Sequence, residues 1–261
     1  MLPAETITAI ADELAVAERD RTMVPLLTAR HPGMTVEDAY AVQREWRRRA
    51  LSAGRRPVGR KIGLTSKVMQ AATGIDEPDY GAIFADMVYE NGAVIEHGRF
   101  SNVRIEVELA FRLAEPVHGP DVTVFDVLRA TEYVVPALEI LSSRIELQGR
   151  TIVDTISDNA AMGAMVHGGT PVRPDDVDLR WVPAMLYRNE TVEESGVSGA
   201  VLNHPALGVA WLANKLAQHG DTLQAGDLVL AGSFTRPIWV HPGDTVLADF
   251  HDLGTITCRF V

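Results

Sequence analysis

The chain has 261 residues, of which 46% are hydrophobic and 23% are charged, a composition typical of one globular unit with a sizeable core. Its formal net charge of -11 argues against nucleic acid as a partner, because binding a phosphate backbone needs a basic face. No apolar run approaches the roughly 20 residues of a membrane span, and the single cysteine, Cys258, cannot form an intrachain disulfide, so we expect a cytoplasmic protein with no membrane partner.

Two amphipathic helices are predicted near the N-terminus. Apolar side chains recur at helical spacing over residues 7–17 and again over residues 39–50. Thr35 and Asp38 have the spacing of a capping box, in which each side chain accepts a hydrogen bond from the backbone N–H of the other residue. The second helix is therefore predicted to begin directly after Thr35.

A β-rich region follows these helices. Beyond residue 57 the chain consists mainly of short runs of β-forming residues separated by Gly, Pro and Asp. We therefore divide the chain into a helical region at residues 1–57 and a β-rich domain, which carries the candidate site, at residues 58–261. Two helices are predicted inside that domain, one at residues 123–130 and one that follows Pro205 and ends at Gly220.

Three turns are predicted in the β-rich domain. The segments at residues 225–227 and 242–244 each place Gly-Asp between alternating apolar runs, as hairpin turns do. The segment at residues 77–81, Glu-Pro-Asp-Tyr-Gly, predicts a rigid turn because Pro restricts one backbone dihedral and Gly relaxes another. Asp79 in that turn has two interpretations: it closes the turn, or it acts as a general base or water-mediated metal partner.

The segment at residues 104–111, Arg-Ile-Glu-Val-Glu-Leu-Ala-Phe, carries the strongest chemical signal. In a strand, Glu106 and Glu108 lie on one face and the apolar residues between them lie on the other. Neighbouring carboxylates repel, and Glu is a poor strand former. A hard divalent cation, Mg²⁺ with Mn²⁺ as an alternative, would turn that repulsion into coordination. Glu139, alone in an apolar run, offers a third carboxylate, whereas the alternative interpretation is a solvated acidic strand face.

Lys61 lies between two glycines in the segment Gly-Arg-Lys-Ile-Gly-Leu-Thr-Ser, which ends at Thr65 and Ser66. Glycine lets a backbone or a ligand approach closely, so Lys61 could exchange protons with a bound molecule. A lysine desolvated near a cation would have a lowered pKa, which suits proton transfer near neutral pH. The alternative is a solvated charge at the end of a strand.

Two later segments offer polar groups for a substrate. Asp158 and Asn159 could hold carbonyl or carboxylate oxygens, although turn capping explains the same residues. Arg236, among apolar and hydroxyl residues, could bind a carboxylate through two hydrogen bonds, although a surface arginine is the simpler interpretation. The chain contains neither Gly-x-Ser-x-Gly nor His-Glu-x-x-His nor Gly-x-Gly-x-x-Gly, so serine or zinc hydrolysis and a Rossmann site are unsupported.

Seven segments together carry a resemblance to a known family. In chain order they are GRKIGLTS, EPDYG, RIEVELAF, VVPALEIL, TISDNAA, LNHP and GSFTRP, and they resemble the hydratase and decarboxylase branch of the fumarylacetoacetate hydrolase superfamily. The resemblance covers nearly the whole chain. It implies an α+β fold with a helical N-terminal region and a mixed β-roll or β-sandwich. It also implies Mg²⁺ on Glu106, Glu108 and Glu139, with Lys61 and Asp79 as active-site residues.

The resemblance further implies a metal-dependent hydro-lyase that adds water to a small 2-oxo or 2-hydroxydienoate dicarboxylate. Thr65, Ser66, Asp158 and Asn159 would contact that substrate, and Arg236 would bind its distal carboxylate. A homo-oligomer, often built on pentamers, and a partner enzyme of the same pathway belong to the same expectation. The alternatives are a hydratase for a shorter monocarboxylate, a decarboxylase of the same branch, and a non-catalytic scaffold subunit of a hydratase–decarboxylase complex.

Overall fold

Two β-sheets and a set of helices make up the structure, a computed structural model that describes residues 1–67, 70 and 77–261. The helices with described bounds are α1 (Ala4–Asp20), α2 (Leu27–Arg30), α3 (Val36–Ser52), α4 (Val124–Ala130), α5 (Ile152–Ser157) and α6 (Pro205–Ala217). Within the described residues, each helix is too short or too polar to cross a membrane. The mixture of helices with parallel and antiparallel strands confirms the predicted α+β class.

The strands divide into a larger and a smaller sheet. They are β1 (Pro57–Gly63), β2 (Asp79–Phe84), β3 (Val88–Glu90), β4 (Ala93–Ile95), β5 (Arg104–Leu113), β6 (Thr131–Leu141), β7 (Met162–His167), β8 (Pro183–Arg188), β9 (Thr191–Val197), β10 (Leu228–Leu230), β11 (Ile238–Trp239), β12 (Thr245–Asp249) and β13 (Thr255–Phe260). The larger sheet has the order β2-β1-β10-β5-β6-β7-β3, with β11 also paired to β5, and the smaller sheet has the order β4-β13-β12-β8-β9.

Local signals placed the helix starts correctly. Thr35 and Asp38 exchange the hydrogen bonds of a capping box at the start of α3, and the predicted helix at residues 123–130 has the same box at its own start. The helix after Pro205 forms as predicted but ends at Ala217, three residues before Gly220. A third capping box, at α5, was not predicted.

The buried apolar residues form one continuous core. Ile10 and Leu14 of α1 and Trp46 of α3 belong to the same cluster as Val107 in β5 and Phe260 in β13. The apolar stripe predicted for the first helix therefore faces this core. The helices before residue 57 and the sheets after it share one core. The division of the chain into two regions at residue 57 therefore stays a prediction.

Both predicted hairpins are wrong, although each turn exists. The glycines of the two turns, Gly226 and Gly243, have φ angles of 86° and 92°. However, β10 pairs with β1 and β5, and β11 pairs with β5 in one sheet while β12 pairs with β13 and β8 in the other. Turn chemistry is local, whereas the choice of partner strand depends on which pairing buries the most apolar surface across the fold.

The predicted rigid turn at residues 77–81 is also wrong beyond its first residues. Asp79 begins strand β2 and pairs in register with Gly63 of β1. All six residues of β2 are buried. The edge of β1 supplies the hydrogen-bonding partner that a local reading of Pro and Gly does not reveal, so the strand continues where a turn was expected.

Asp154 links two helices and provides a test of the fold. Its carboxylate is fully buried and accepts hydrogen bonds from the N and Oγ1 of Thr28 at 3.0 and 2.8 Å, in addition to those of the capping box with Thr151. Burial opposes ionisation, yet these bonds hold the pKa of Asp154 below its ordinary value. The stabilisation is therefore present above about pH 4 and is lost as the pH falls through the lowered pKa.

We expect Asp154→Asn to lower the free energy of unfolding by about 2 kcal/mol at neutral pH, because one acceptor oxygen becomes a donor. Urea denaturation followed by circular dichroism measures the change. Asp126→Asn is the matched control, since Asp126 makes the same capping box at α4 but sits on the surface, where its further partner is the exposed Arg129. Equal losses in the two variants would show that the contact to Thr28 contributes nothing.

Candidate metal centre and active site

The register of the two central strands brings three carboxylates together. Glu106 of β5 pairs directly with Glu139 of β6, and Glu108 follows Glu106 on the same face. One oxygen from each of the three carboxylates lies within 4.8 Å of the others. Glu108 and Glu139 are fully buried, so the interpretation of a solvated acidic face is wrong.

Several carboxylate oxygens of this cluster have no hydrogen-bond partner, and a bound cation would fill that role. Among the described residues, Glu108 Oε1 and both oxygens of Glu139 accept no hydrogen bond, although Glu139 Oε1 forms an ion pair with Lys61. Glu108 Oε2 accepts a hydrogen bond of 2.8 Å from the backbone N–H of Gly232. Buried carboxylate oxygens without partners are costly. An oxygen-only cluster of this kind suits a hard divalent cation, so the residues fit the predicted metal.

Without a cation, this cluster retains protons. Burial, followed by repulsion from Glu139, raises the pKa of Glu106 to about 7. The same causes in the same order raise the pKa of Glu108 well above its ordinary value. Burial and the mutual repulsion of the carboxylates therefore favour protonation of Glu106 near neutral pH.

Lys61 reaches the cluster from the neighbouring part of the sheet. It pairs in register with Leu230 of β10, which pairs with Ala110 of β5, so its side chain is on the face of the carboxylates. Its Nζ lies 3.0 Å from Glu139 Oε1, an ion pair without hydrogen-bond angles. Burial favours the neutral amine, but Glu139 and the other carboxylates outweigh it and raise the pKa of Lys61. This direction is opposite to the lowered pKa that the sequence analysis expected for a lysine near a cation.

Asp79 and Lys61 approach each other over the backbone of Gly63. A Cβ on residue 63 would lie 2.2 Å from Asp79 Oδ1 and 3.1 Å from Lys61 Nζ, so only glycine leaves room for both groups. Asp79 is buried, and its oxygens have no hydrogen-bond partner among the described residues. Burial also raises the pKa of Asp79. An acid and a base with shifted pKa values thus stand side by side.

A pocket of about 330 Å³ opens onto this cluster. Its lining includes the sequence-predicted residues Lys61, Thr65, Ser66, Asp79, Glu106 and Arg236. Thr65 packs against Gly232, where a Cβ would stand 2.2 Å from its Oγ1. The backbone N–H of Gly232 also donates to Glu108 Oε2. The contact between Thr65 and Gly232 therefore holds this wall of the pocket against the carboxylates.

Asp158 and Asn159 do not line this pocket, and the contacts predicted for them have no support in the geometry. Asp158 is buried in an ion pair with Arg144 and also accepts a hydrogen bond from its backbone N–H at 2.8 Å. The side chain of Asn159 bonds to both the N and the O of Ala82, at 2.7 and 2.9 Å, and so continues the edge of β2. Both polar groups are occupied within the fold, as the turn-capping interpretation allowed.

Ser233 and Thr235 hold the loop before Arg236 against β5. Thr235 Oγ1 accepts a hydrogen bond from Val107 N at 3.2 Å, and Ser233 Oγ donates to Val107 O at the same distance. In the gap between β10 and β11, these side chains thus supplement the backbone hydrogen bond from Phe234 N to Val107 O. Arg236 itself lies at the pocket mouth with its side chain 76% exposed and paired to Glu194 at 2.8 Å.

Sequence reasoning missed two arginines of the pocket lining, Arg104 and Arg150. Arg104 has a signal that could have been used, because it precedes Glu106 by two residues and so shares its strand face. Arg150 has no such signal. It lies between β6 and α5 and enters the pocket only through the path of the chain.

Known proteins resemble this chain over its full length. A sequence model of the family described as fumarylacetoacetate (FAA) hydrolase C-terminal matches residues 60–261. The chain is 51% identical over 267 residues to the 2-oxo-hept-4-ene-1,7-dioate hydratase of Escherichia coli, with 100% of both chains covered. It is 40% identical to the 2-keto-4-pentenoate hydratase of Paraburkholderia xenovorans LB400, over 88% of this chain and 85% of that one.

The solved structures include a match of the same extent. The 4-oxalocrotonate decarboxylase from Pseudomonas putida G7, complexed with magnesium and adipate, aligns with a TM-score of 0.97 at 34% identity. The alignment covers 100% of this chain and 99% of that one. The likeness therefore includes the N-terminal helices as well as both sheets.

The raised pKa values predict that a divalent cation displaces protons from the cluster. Since a protonated carboxyl competes with the cation, we expect Mg²⁺ affinity to fall as the pH drops from 8 to 6, through the Glu106 pKa of about 7. Calorimetric titration at pH 7 in two buffers of different ionisation enthalpy measures the protons released. Glu106→Gln, which removes one of the three carboxylates, should show neither Mg²⁺ binding nor proton release. An Mg²⁺ affinity of the wild-type protein that is independent of pH over this range would contradict the expectation.

Proposed function

The chain belongs to the fumarylacetoacetate hydrolase family, and we propose that it is a metal-dependent hydratase acting on 2-oxohept-4-ene-1,7-dioate. The observation that carries the proposal is the buried cluster of Glu106, Glu108 and Glu139 beside Lys61, in a chain 51% identical to a hydratase of that substrate. The double bond first moves from C4=C5 to C3=C4, through loss of a proton from C3 and delivery of a proton to C5. The hydroxyl of water then joins C4 and a proton joins C3, which gives 4-hydroxy-2-oxoheptanedioate.

The three glutamates would hold the cation, and we propose Mg²⁺ because their ligand atoms are all oxygen. When bound, the cation supplies Lewis acidity to the carboxylate and C2 oxygens of a 2-oxo acid. The buried face keeps bulk water from competing at these oxygens. The glutamates also stay close enough to one another, within 4.8 Å, to serve one ion.

Lys61 and Asp79 would move the protons of the reaction. Conversion of the 2-hydroxydienoate tautomer into the conjugated 2-oxo acid takes a proton from the C2 hydroxyl and delivers one to carbon. The Nζ of Lys61, which lies 3.0 Å from Glu139 Oε1, would exchange these protons with the substrate at the metal centre. Asp79, when ionised, is a stronger base than an exposed carboxylate because burial raises its pKa, and it would accept the proton of the attacking water.

Sequence identity favours this activity over the two alternative activities of the same branch. The chain is 51% identical to the heptenedioate hydratase, 40% to the pentenoate hydratase and 34% to the solved decarboxylase. A non-catalytic scaffold would have no need to keep three buried carboxylates and a lysine around one pocket. We place the enzyme in the catabolism of aromatic compounds such as 4-hydroxyphenylacetate, and we retain a homo-oligomer as part of the proposal.

We expect purified protein with Mg²⁺ to convert 2-hydroxyhepta-2,4-diene-1,7-dioate into 4-hydroxy-2-oxoheptanedioate, observed by NMR. EDTA should abolish turnover. Glu106→Gln should lose both metal binding and turnover, and Lys61→Met should lower kcat by about 10²- to 10⁴-fold while it retains the cation.

Other products would redirect the proposal. Release of CO₂ would identify a decarboxylase, and faster turnover of 2-hydroxypenta-2,4-dienoate would identify a hydratase for the monocarboxylate. Full activity in Glu106→Gln would contradict a metal-dependent reaction at this site.

A further inference from the structure

Three arginines line the pocket, and they differ in what they already bind. Arg236 is exposed and paired to Glu194. Arg150 donates from Nη1 to Ser143 Oγ at 2.8 Å. Arg104 differs from both, because its Nε and Nη2 are buried and have no hydrogen-bond partner among the described residues.

Arg104 lies beside the candidate metal centre. It precedes Glu106 by two residues on the same face of β5, which corresponds to a Cα separation of about 7 Å. Its register partners are Leu141 of β6 and Trp239 of β11, and its guanidinium lies 5.5 Å from the centre of the Trp239 ring. The aromatic ring therefore packs against the guanidinium, and the remaining open approach is from the pocket.

Arg150 adds positive charge at the same place. The guanidinium groups of Arg104 and Arg150 line the same pocket. A buried guanidinium with unused donors is costly, and a second cation beside it raises that cost. An anion bound in the pocket would remove both penalties through charge-assisted hydrogen bonds.

We propose that Arg104, with Arg150 beside it, forms the subsite for the distal carboxylate of the substrate. This subsite rests on the proposed function, in which the 2-oxo acid end of the substrate lies at the glutamates. Arg104 is two residues from Glu106 on the same face of β5, so its guanidinium can reach the distal carboxylate of a short dicarboxylate whose other end lies at the glutamates. Arg236 would have to leave Glu194, and an exposed charge contributes little.

The test compares two acids that differ only in the distal carboxylate and cannot be hydrated, 2-oxoheptanedioate and 2-oxoheptanoate. Calorimetry with Mg²⁺ present measures their binding to the intact protein. We expect wild type to prefer the diacid and Arg104→Gln to weaken diacid binding by about 100-fold, as for loss of a buried charge pair. Binding of 2-oxoheptanoate should stay nearly unchanged.

Arg104→Lys is the second variant, because lysine keeps the charge but not the planar fork that binds a carboxylate through two hydrogen bonds. It should recover part of the diacid preference while its thermal unfolding matches that of wild type. Arg236→Gln is the competing arm and should keep the preference, although the sequence alone favoured Arg236 for this contact.

Each other outcome overturns the subsite. Equal loss of both acids in Arg104→Gln and Arg104→Lys would place the contact at the proximal carboxylate or in the fold. Loss of the diacid preference in Arg236→Gln alone would restore the role to Arg236. A wild-type protein that binds neither acid would contradict the proposed function itself, whereas a preference that survives in Arg104→Gln would contradict only the subsite.

Discussion

The burial of three like charges on one face of the β5–β6 pair is the constraint on which the site depends. Glu106 and Glu139 stand directly opposite each other, and the opposite face of the same strands packs Val107 and Leu138 into the core. The apolar face holds the register, so the carboxylates cannot separate to relieve their repulsion. Protons, Lys61 or a cation must supply the compensating charge, and the first two already do so in the protein alone.

Close backbone approach is the second requirement of this arrangement. Gly63 leaves the space in which Asp79 and Lys61 meet, and Gly232 lets Thr65 pack where a side chain would otherwise stand. Gly232 has a φ angle of 117°, a conformation that L side chains rarely adopt, and its N–H is directed to Glu108. These glycines therefore position catalytic candidates without contributing side chains of their own.

The scaffold alone does not decide the reaction. A decarboxylase with 34% identity has the same architecture at a TM-score of 0.97, so the choice between hydration and loss of CO₂ must come from side chains that line the pocket. Its charged lining combines the carboxylates of Asp79 and Glu106 with the cationic groups of Lys61, Arg104, Arg150 and Arg236.

Sequence alone determined the α+β class, the capped helices and the shared face of Glu106 and Glu108, because periodicity and capping depend on residues a few positions apart. It also singled out Lys61 and Glu139 through their motifs. Only the tertiary structure decided that β10 joins β1 to β5 and that Asn159 bonds to the edge of β2. It also decided that Arg104 has donors without a hydrogen-bond partner among the described residues. Strand partners and unused hydrogen-bond donors depend on long-range packing summed over the whole core, which no local pattern contains.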